Sequence, residues 1–302
     1  MADIAQQQKF AFADAMNRIY AGAIFDIDGT LTVRGDEFIP GFMIDALAEL
    51  SLNVPIAVCT GRRLDQALDR IAPIFTRSKN PIYSEAQWVF ICENGSVGYY
   101  FDEVNKKYIE FHRVNYPYTE EQRHIMFNAL KERFSDKTDE CFMNEVSMVF
   151  RPLFRQDPNR EALRKRSYEL GVLLTDAVAE FDPKRLLSVS EAGIGVNISP
   201  VNGDKDKGVL AFAKFLREQK GYAIDEEARD ILVVGDQPGS IGNDRMFLNG
   251  VYGTPFTVGD TVKGKIWPLP VFGRHSTERL IGPQGTLSLL QQVKFRNGFS
   301  LL

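Results

Sequence analysis

Residues 21–30 read AGAIFDIDGT, so a short apolar run leads directly into a polar ending. The apolar run at 21–25 is typical of a buried parallel strand. Asp26 and Asp28 follow this run, and a glycine and a threonine come next. Ligands of open α/β sheets bind just past the carboxyl ends of the strands. The stretch therefore predicts a functional site at Asp26 and Asp28, with a solvated Asp-Gly turn as the alternative.

The whole chain has an ordinary globular composition, with 302 residues, 44% of them hydrophobic, and a net charge of −4. This length suits one large or two medium domains with a sizeable core. No block of basic residues and no stripe of aromatic and basic residues occurs, so we predict no nucleic-acid partner. No apolar run approaches membrane-spanning length, and we predict no membrane partner. Three widely separated cysteines without a secretory signal indicate a cytoplasmic protein.

Apolar strands alternate with amphipathic helices in two parts of the chain. This alternation predicts an α/β fold with a doubly wound, parallel, Rossmann-like core sheet. The predicted elements of the first part are a helix at 3–20, strands at 21–25, 54–59 and 88–92, and helices at 41–52 and 63–75. Those of the second part are a helix after residue 208, strands at 230–234 and 251–258, and a helix at 286–293.

Residues 96–195 follow a different pattern and predict an inserted α+β domain. Two hairpin strands at 96–101 and 107–114 precede a helix that the capping box at 119–122 opens. A strand at 144–153, a helix at 159–173 and one or two strands within 186–199 complete the predicted domain. The core would then comprise residues 21–95 and 196–302, with a helical extension at 1–20.

Polar residues follow several predicted strands or begin a predicted helix. They are Asp26 and Asp28, Thr60 and Gly61, Lys207, and Asp236 with Asn243 and Asp244. Because parallel strands end at one edge of a sheet, we expect these residues to meet. Carboxylates suit a hard divalent cation, and a hydroxyl, backbone N–H groups and a lysine suit an anion. This combination is what phosphoryl transfer requires.

The order of these motifs resembles the haloacid dehalogenase superfamily of phosphohydrolases. The four motifs match at residues 26–30, 60–62, 207–208 and 235–244, within a resemblance that spans 21–260. Glu93-Asn94-Gly95 and the position of the inserted domain resemble the subgroup with a large α/β cap. That type IIB, Cof-like group includes many sugar-phosphate phosphatases. One departure is the spacing after Asp236, where six residues stand in place of the family's usual two before the Asn-Asp pair.

The resemblance implies catalytic roles for Asp26, Asp28, Thr60 and Lys207, with Thr60 acting through the phosphoryl group. Asp26 would attack phosphorus and form an aspartyl-phosphate. Asp28 would protonate the leaving alcohol and then deprotonate the hydrolytic water. Lys207 would neutralise the phosphate and orient Asp26. Lys205 is the alternative lysine, but only Lys207 precedes a glycine as the family pattern requires.

The resemblance also implies a metal site and a phosphate site. Mg²⁺ would be held by Asp26, the backbone carbonyl of Asp28 and Asp236, with Asn243 and Asp244 supporting it directly or through water. Thr60 and the N–H of Gly61 would bind phosphoryl oxygens. Candidate substrate contacts are Arg62, Asn94, Arg151, Glu191 and Asn197, each of which could equally be structural.

The function that this resemblance implies is hydrolysis of a small phosphorylated metabolite, such as a sugar phosphate, by a Mg²⁺-dependent phosphatase. A phosphomutase of the phosphomannomutase type is the alternative enzyme, although residues 60–62 resemble the hydrolases more. A non-catalytic module that binds phosphorylated ligands is a third hypothesis, against which every motif acid is present. Hinge motion near 94–96 and 196–203 would close the cap over substrate.

Overall fold

A computed structural model describes residues 4–154, 157, 159–192 and 194–301 of the chain. The remaining residues, including 1–3 of the predicted N-terminal extension, lie outside the described part. The helices are α1 (Ile4–Asn17), α2 (Gly41–Leu50), α3 (Leu64–Arg77), α4 (Pro81–Ala86), α5 (Glu120–Arg133), α6 (Arg160–Phe181), α7 (Lys205–Lys220) and α8 (Gly282–Leu290). Among the described residues, no helix has both the length and the apolar character needed to cross a bilayer.

The strands form one large sheet, one smaller sheet and one two-stranded pair. They are β1 (Ile19–Tyr20), β2 (Gly22–Phe25), β3 (Ile56–Cys59), β4 (Trp88–Cys92), β5 (Val97–Asp102), β6 (Lys107–Arg113), β7 (Thr138–Met143), β8 (Met148–Pro152), β9 (Leu187–Glu191), β10 (Val196–Pro200), β11 (Ile231–Gly235), β12 (Thr254–Thr257), β13 (Leu269–Pro270) and β14 (Lys294–Phe295).

The large sheet has eight strands in the order β13-β12-β11-β2-β3-β4-β5-β6. Its first six strands are parallel to their neighbours, and β5 and β6 are antiparallel. From β2 the chain moves outward to β3 and β4, and it later returns to build β11, β12 and β13 on the other side. The strand order therefore reverses between β2 and β11, where α/β proteins bind their ligands. The predicted α/β class with a doubly wound parallel sheet is confirmed.

Alternation along the buried strands supplies both faces of this sheet with a core. Side chains of successive strand residues point to opposite faces. Phe25, Val58 and Phe90 therefore join the cluster beneath α2 and α3. Ile24 and Ala57 join the cluster that α7 covers. Burial of both faces explains why these strands read as continuous apolar runs.

The smaller sheet is antiparallel, with the order β7-β8-β10-β9. We call residues 120–200, which hold this sheet with α5 and α6, the cap. Met148 and Phe150 of β8 and Val196 and Ile198 of β10 pack beneath the two helices. The intervening residues of these strands, including Asn197, lie on the opposite face of the sheet.

Two predicted strand assignments need correction. The hairpin at 97–113, predicted to belong to the inserted domain, is part of the large sheet, because β5 turns back directly after β4 and pairs Val97 with Cys92. Residues 196–200, predicted to begin the second core segment, form β10 and pair with β8 and β9 of the cap. The apolar pattern identifies a strand but does not identify its partner. Helix α4 and strands β1, β7, β13 and β14 were not predicted, and the helix predicted at 3–20 ends at Asn17, before β1.

A buried carboxylate attaches the cap to the core beside the predicted hinge. Glu93 follows β4, is 2% exposed, and accepts hydrogen bonds from the N–H groups of Glu145 (3.0 Å) and Val146 (2.8 Å) and from the Ser147 hydroxyl (2.9 Å). Arg123 of α5 donates to the Glu145 carbonyl at 2.9 Å on the other side of the same turn. The turn at 144–147 is thereby fixed to both the core and the cap.

Asp204 is a second buried carboxylate between the two sheets. It immediately precedes α7, its side chain makes no capping hydrogen bond, and the residue is 9% exposed. Burial raises the pKa of Asp204 to about 7 from an ordinary 3.8, and the charge of Asp206 adds to this shift, whereas a hydrogen bond from Ser188 opposes it. Below pH 7 the folded state therefore favours the protonated carboxyl group of Asp204. The reduction in the free energy of unfolding that its burial causes grows as the pH rises from 4 to 7.

Asp204→Asn should stabilise the protein above pH 7. The amide keeps an acceptor for Ser188 and removes the desolvated charge, so we expect a gain of about 1–2 kcal/mol in the free energy of unfolding at pH 8. The gain should shrink toward pH 5, where wild-type Asp204 is protonated in the folded state. Urea unfolding at both pH values measures the difference. Asp176→Asn, the same change at an exposed position, is the control. An equal gain at both pH values would contradict this account.

Candidate active site

The carboxyl ends of three neighbouring strands bring the first site residues together. Asp26 follows β2, Thr60 follows β3 and Asp236 follows β11. Since β2 lies between β3 and β11, the three residues share one edge at the reversal of strand order. The Asp26 N–H donates to the Val234 carbonyl at 2.9 Å, which continues the hydrogen-bond ladder between β2 and β11 to this edge.

Three buried aspartates form the centre of the site. Carboxylate oxygens of Asp26, Asp236 and Asp244 lie within 4.8 Å of one another. Burial raises the pKa of Asp26 to about 7; Lys205 opposes this shift, whereas Asp244 and Asp28 add to it. Burial also raises the pKa of Asp236 well above its ordinary value, and Asp244 contributes. The cluster concentrates negative charge that requires cations for compensation.

Lys205, and not Lys207, supplies the ammonium group of this cluster. Its Nζ donates to Asp26 Oδ1 at 2.6 Å and to Asp244 Oδ1 at 2.7 Å, and its side chain is 0% exposed. Burial alone would lower the pKa of Lys205, but the two carboxylates outweigh it and the net shift is upward. The predicted placement of Lys207 beside Asp26 is wrong. The Lys207 side chain is 34% exposed, pairs with Asp206 and lies over the Tyr252 ring.

Helix periodicity accounts for this correction. Lys205 lies one turn before Val209, on the same stripe as the buried Phe212, whereas Lys207 points about 160° away from it. Gly208, which favoured Lys207 in the family pattern, has a packing role: a Cβ there would lie 2.8 Å from Cys59 Sγ. Extending the apolar stripe back by four residues would have identified the inward lysine.

Asp236 has one oxygen in an ion pair and one without a partner among the described residues. Arg34 donates from Nε to Oδ2 at 2.8 Å and from Nη2 to the Asp236 carbonyl at 3.3 Å. Oδ1 is buried and accepts no hydrogen bond from the described residues. Gly29, with a φ of +84°, allows this approach, because a Cβ there would lie 2.3 Å from Oδ2. Sequence reasoning missed Arg34, since a loop arginine carries no periodic signal.

Asp244 uses both of its oxygens inside the protein. Oδ2 accepts the N–H groups of Asp236 at 2.9 Å and Gln237 at 3.0 Å, and Oδ1 accepts from Lys205. Gly235 leaves room for this carboxylate, because a Cβ there would lie 2.7 Å from Oδ2. Asn243 lies beside it and lines the central cavity, and its buried Oδ1 has no partner among the described residues.

Asp28 and Arg62 form a forked ion pair at the mouth of the site. Arg62 Nη2 lies 2.8 Å from Oδ1 and 2.9 Å from Oδ2 of Asp28, and Nε lies 3.2 Å from Oδ2. The Asp28 side chain is 39% exposed, so it borders the cavity while Asp26 lies at its base. Arg62, predicted as a substrate contact, is thus bound to the second acid of the opening motif.

Two asparagines enclose the backbone at Gly61. A Cβ on Gly61 would lie 3.0 Å from Asn197 Nδ2 and 3.1 Å from Asn94 Oδ1, so glycine leaves this space for the two amides. The Asn94 N–H donates to the Thr60 carbonyl at 2.8 Å, and Thr60 Oγ1 accepts the Arg62 N–H at 3.3 Å. The predicted phosphate-binding turn is therefore contacted by both the core and the cap.

The face of the cap sheet that is turned away from α5 and α6 covers the cavity. Phe142, Asn144, Val149 and Arg151 line it opposite Asp26. The Arg151 guanidinium lies over the Phe142 ring, 5.2 Å from its centroid, and donates to Glu140 at 2.8 Å.

A second cavity of about 380 Å³ adjoins the first. Asp28, Arg62, Ala192 and Ile194 line both cavities. Glu191, another predicted contact, pairs through its main chain with the segment after Asp236.

The charge balance favours binding of a cation together with an anion. Among the described residues, Asp26, Asp236 and Asp244 pair with Lys205 and Arg34, and Arg34 also lies 3.6 Å from Asp260, while Asp28 and Arg62 neutralise each other. The cluster is one positive charge short before any phosphate enters. Carboxylate oxygens and a buried, unpartnered Oδ1 are a donor set that suits a hard divalent cation. The Gly61 backbone and Lys205 supply positive groups for an anion.

Comparisons with known proteins agree with this architecture. A model of the haloacid dehalogenase-like hydrolase family matches residues 23–148. No curated protein matches the sequence. A mutant, IMP-bound Plasmodium falciparum IMP-nucleotidase is 16% identical, with a TM-score of 0.65 over 95% of this chain and 70% of that one. An ATP-bound Plasmodium falciparum IMP-nucleotidase is 15% identical, with a TM-score of 0.61 over 87% of this chain and 66% of that one.

A solved sugar-phosphate phosphatase is also similar. The C-terminal domain of C. albicans trehalose-6-phosphate phosphatase is 15% identical, with a TM-score of 0.59 over 94% of this chain and 96% of that one. At these identities the likeness shows a shared fold.

Lys205→Met should destabilise the protein far more than Lys207→Met. Removing the buried ammonium leaves Asp26 and Asp244 without compensation, for which we expect a loss of about 3–5 kcal/mol in the free energy of unfolding. Lys207→Met removes an exposed pair and should cost less than about 1 kcal/mol. Urea unfolding at pH 7.5 measures both variants. Equal losses would show that Lys205 does not have the central structural role described here.

Proposed function

We propose that the chain is a haloacid dehalogenase-like hydrolase, whose family model matches residues 23–148, and that it acts as a Mg²⁺-dependent phosphatase that hydrolyses a small phosphomonoester through an aspartyl-phosphate. The observation that carries the proposal is the position of Asp26, whose Oδ1 accepts from the buried Lys205 at the base of a cavity. The ammonium group orients the carboxylate and reduces its repulsion of an incoming phosphate. With Oδ1 engaged, Oδ2 is the oxygen that we assign to attack phosphorus.

The donor set at Asp236 supports the magnesium part of this proposal. Its unpartnered Oδ1, the nearby Asp26 carboxylate and the backbone carbonyl of Asp28 would hold the ion. Bound Mg²⁺ would offset the charge of the phosphoryl group. We assign Asp244 a positioning role instead, because both of its oxygens are already hydrogen-bonded. Asn243 faces the cavity and would contact the ion through water.

The reaction needs two carboxylates with separate tasks. Asp26 Oδ2 forms a bond to phosphorus while the bond from phosphorus to the ester oxygen breaks. Asp28, which enters the cycle protonated, gives that oxygen its proton and is left as the carboxylate that Arg62 binds. Water then attacks the aspartyl-phosphate, Asp28 takes the water's proton, and phosphate leaves with Asp26 regenerated. The Arg62 fork would hold Asp28 at the mouth of the cavity, where the leaving group departs.

We assign phosphate binding to the turn after β3 and to Lys205. The Thr60 hydroxyl and the Gly61 N–H would contact phosphoryl oxygens, and Asn94 fixes the turn through its bond to the Thr60 carbonyl. Lys205 takes the role that the family pattern had given to Lys207. Thr60 and Asn94 are 1% and 2% exposed, so these groups lie away from bulk water, where a hydrogen bond to phosphate is stronger.

The room beside this turn supports a proposal for the substrate class. The organic part would lie against Phe142, Asn144 and Arg151 of the cap and could extend into the adjoining cavity of about 380 Å³. A sugar phosphate or a nucleoside monophosphate fits this description, since a stacked arginine and amides recognise hydroxyl groups and planar rings. The solved neighbours are a nucleotidase and a sugar-phosphate phosphatase. We place the enzyme in the cytoplasm, where its free cysteines remain reduced.

The purified protein should release inorganic phosphate from at least one member of a panel of sugar phosphates, phosphoglycerates and nucleoside monophosphates that includes trehalose 6-phosphate and IMP. Mg²⁺ should be required, and EDTA should abolish release. Asp26→Asn should lower kcat by at least about 10³-fold while circular dichroism stays unchanged, because the nucleophile is lost.

The controls separate this proposal from its alternatives. Lys207→Met should retain kcat within about twofold, since an exposed ion pair contributes little. A phosphomutase would convert one monoester into another only with a bisphosphate activator, without net phosphate release. A binding module would bind panel members without turnover. Near-normal phosphate release by Asp26→Asn would refute the mechanism.

A further inference from the structure

The segment between Asp236 and Asp244 joins the core to the cap. Strand β9 forms an edge of the cap sheet, and Glu191 at its end pairs in parallel with Gly242. The Glu191 N–H donates to the Ile241 carbonyl at 2.8 Å, and the Asn243 N–H donates to the Glu191 carbonyl at 2.9 Å. Residues 241–243 thus extend the cap sheet, although they belong to the core segment of the chain.

A side-chain contact reinforces these two hydrogen bonds. Ile241 packs on α6 where Gly171 leaves space, since a Cβ at Gly171 would lie 3.3 Å from Ile241 Cδ1. A Cβ at Gly171 would also lie 3.6 Å from Glu191 Cβ and 3.7 Å from Val196 Cγ2, so this contact is beside the cap sheet. Ile241 is half-buried in this contact with α6.

The two ends of the segment are fixed at the reaction centre. Asp244 accepts hydrogen bonds from the N–H groups of Asp236 and Gln237, so its carboxylate closes the base of the loop. Lys205 connects that carboxylate to Asp26. Movement of the cap edge would therefore pull on a loop whose base carries Asp236. These contacts occupy the place where the chain has six residues instead of the family's usual two.

We propose that residues 237–243 form a latch that binds the free edge of the cap sheet and holds the cap over Asp26. The cap opens when the two main-chain bonds and the Ile241 contact are lost together, and it closes when they re-form. Unlike the Glu93 contacts beside the hinge, the latch lies at the end of β9 that pairs with Val196, and the chain leaves the cap at the opposite end, where Leu187 pairs with Pro200. Docking of the latch is independent of the proposed function; only its effect on turnover rests on that function.

Amide hydrogen exchange of the full-length protein tests the latch. Ile241→Ala removes the side-chain contact and keeps the backbone, so peptides covering 187–191 and 241–245 should exchange about tenfold faster or more. A peptide covering β11 should exchange as in wild type. The matched control is Gly239→Ala in the same loop, whose new Cβ would meet nothing within 4 Å. This control should leave all three peptides unchanged.

The outcomes separate the latch from general loosening and from failure of the proposed function. Wild-type exchange at 187–191 and 241–245 in Ile241→Ala would overturn the latch, as would a parallel increase in β11. For any phosphomonoester that wild type hydrolyses, Ile241→Ala should raise KM about fivefold and leave kcat unchanged or higher. A fall in kcat alone would also count against the latch. If no monoester is hydrolysed, the exchange experiment still decides.

Discussion

The buried ammonium of Lys205 is the group on which the rest of the site depends. Asp26 and Asp244 come from distant parts of the sequence, and each would be costly to bury as an unpaired anion. Lys205 contacts both, at 2.6 Å and 2.7 Å, and has no exposure to solvent. Moving α7 outward would leave two carboxylates uncompensated. The first turn of this helix therefore fixes the separation of the acids.

Close backbone approach is the second requirement of the same cluster. Gly29 and Gly235 lie against the carboxylates of Asp236 and Asp244, at distances that exclude a Cβ. Gly29 also has a positive φ, which few other residues tolerate. The glycine of the opening motif is thus needed for packing against an acid from another strand. This explains physically why a carboxylate pair and a glycine occur together after β2.

Strand ends were predictable from sequence because burial on both faces leaves continuous apolar runs with polar endings. This signal located Asp26, Thr60 and Asp236 and predicted the parallel sheet. The choice of lysine failed because it relied on the neighbouring Gly208, which packs on Cys59, and not on the apolar stripe of α7. The pairing of β5 and β10 could not be predicted, because strand partners are chosen by turns and long-range contacts. Arg34 lies in a loop, where no periodicity marks the side chains that turn inward.

The loop after Asp236 is unusually long, yet the site is intact, because hydrogen bonds between Asp236, Gln237 and Asp244 hold the two ends of the loop together whatever its length. Asp244 binds the N–H groups of Asp236 and Gln237, so residues can be added beyond this base without moving either carboxylate. The entropic cost of a longer loop grows slowly with the number of residues. Contacts with the edge of the cap sheet offset part of this cost, because residues 241–243 gain main-chain partners there. From the sequence alone, the longer spacing after Asp236 casts doubt on the predicted metal site. In the structure the longer loop leaves the carboxylates of Asp236 and Asp244 in place and adds a connection to the cap.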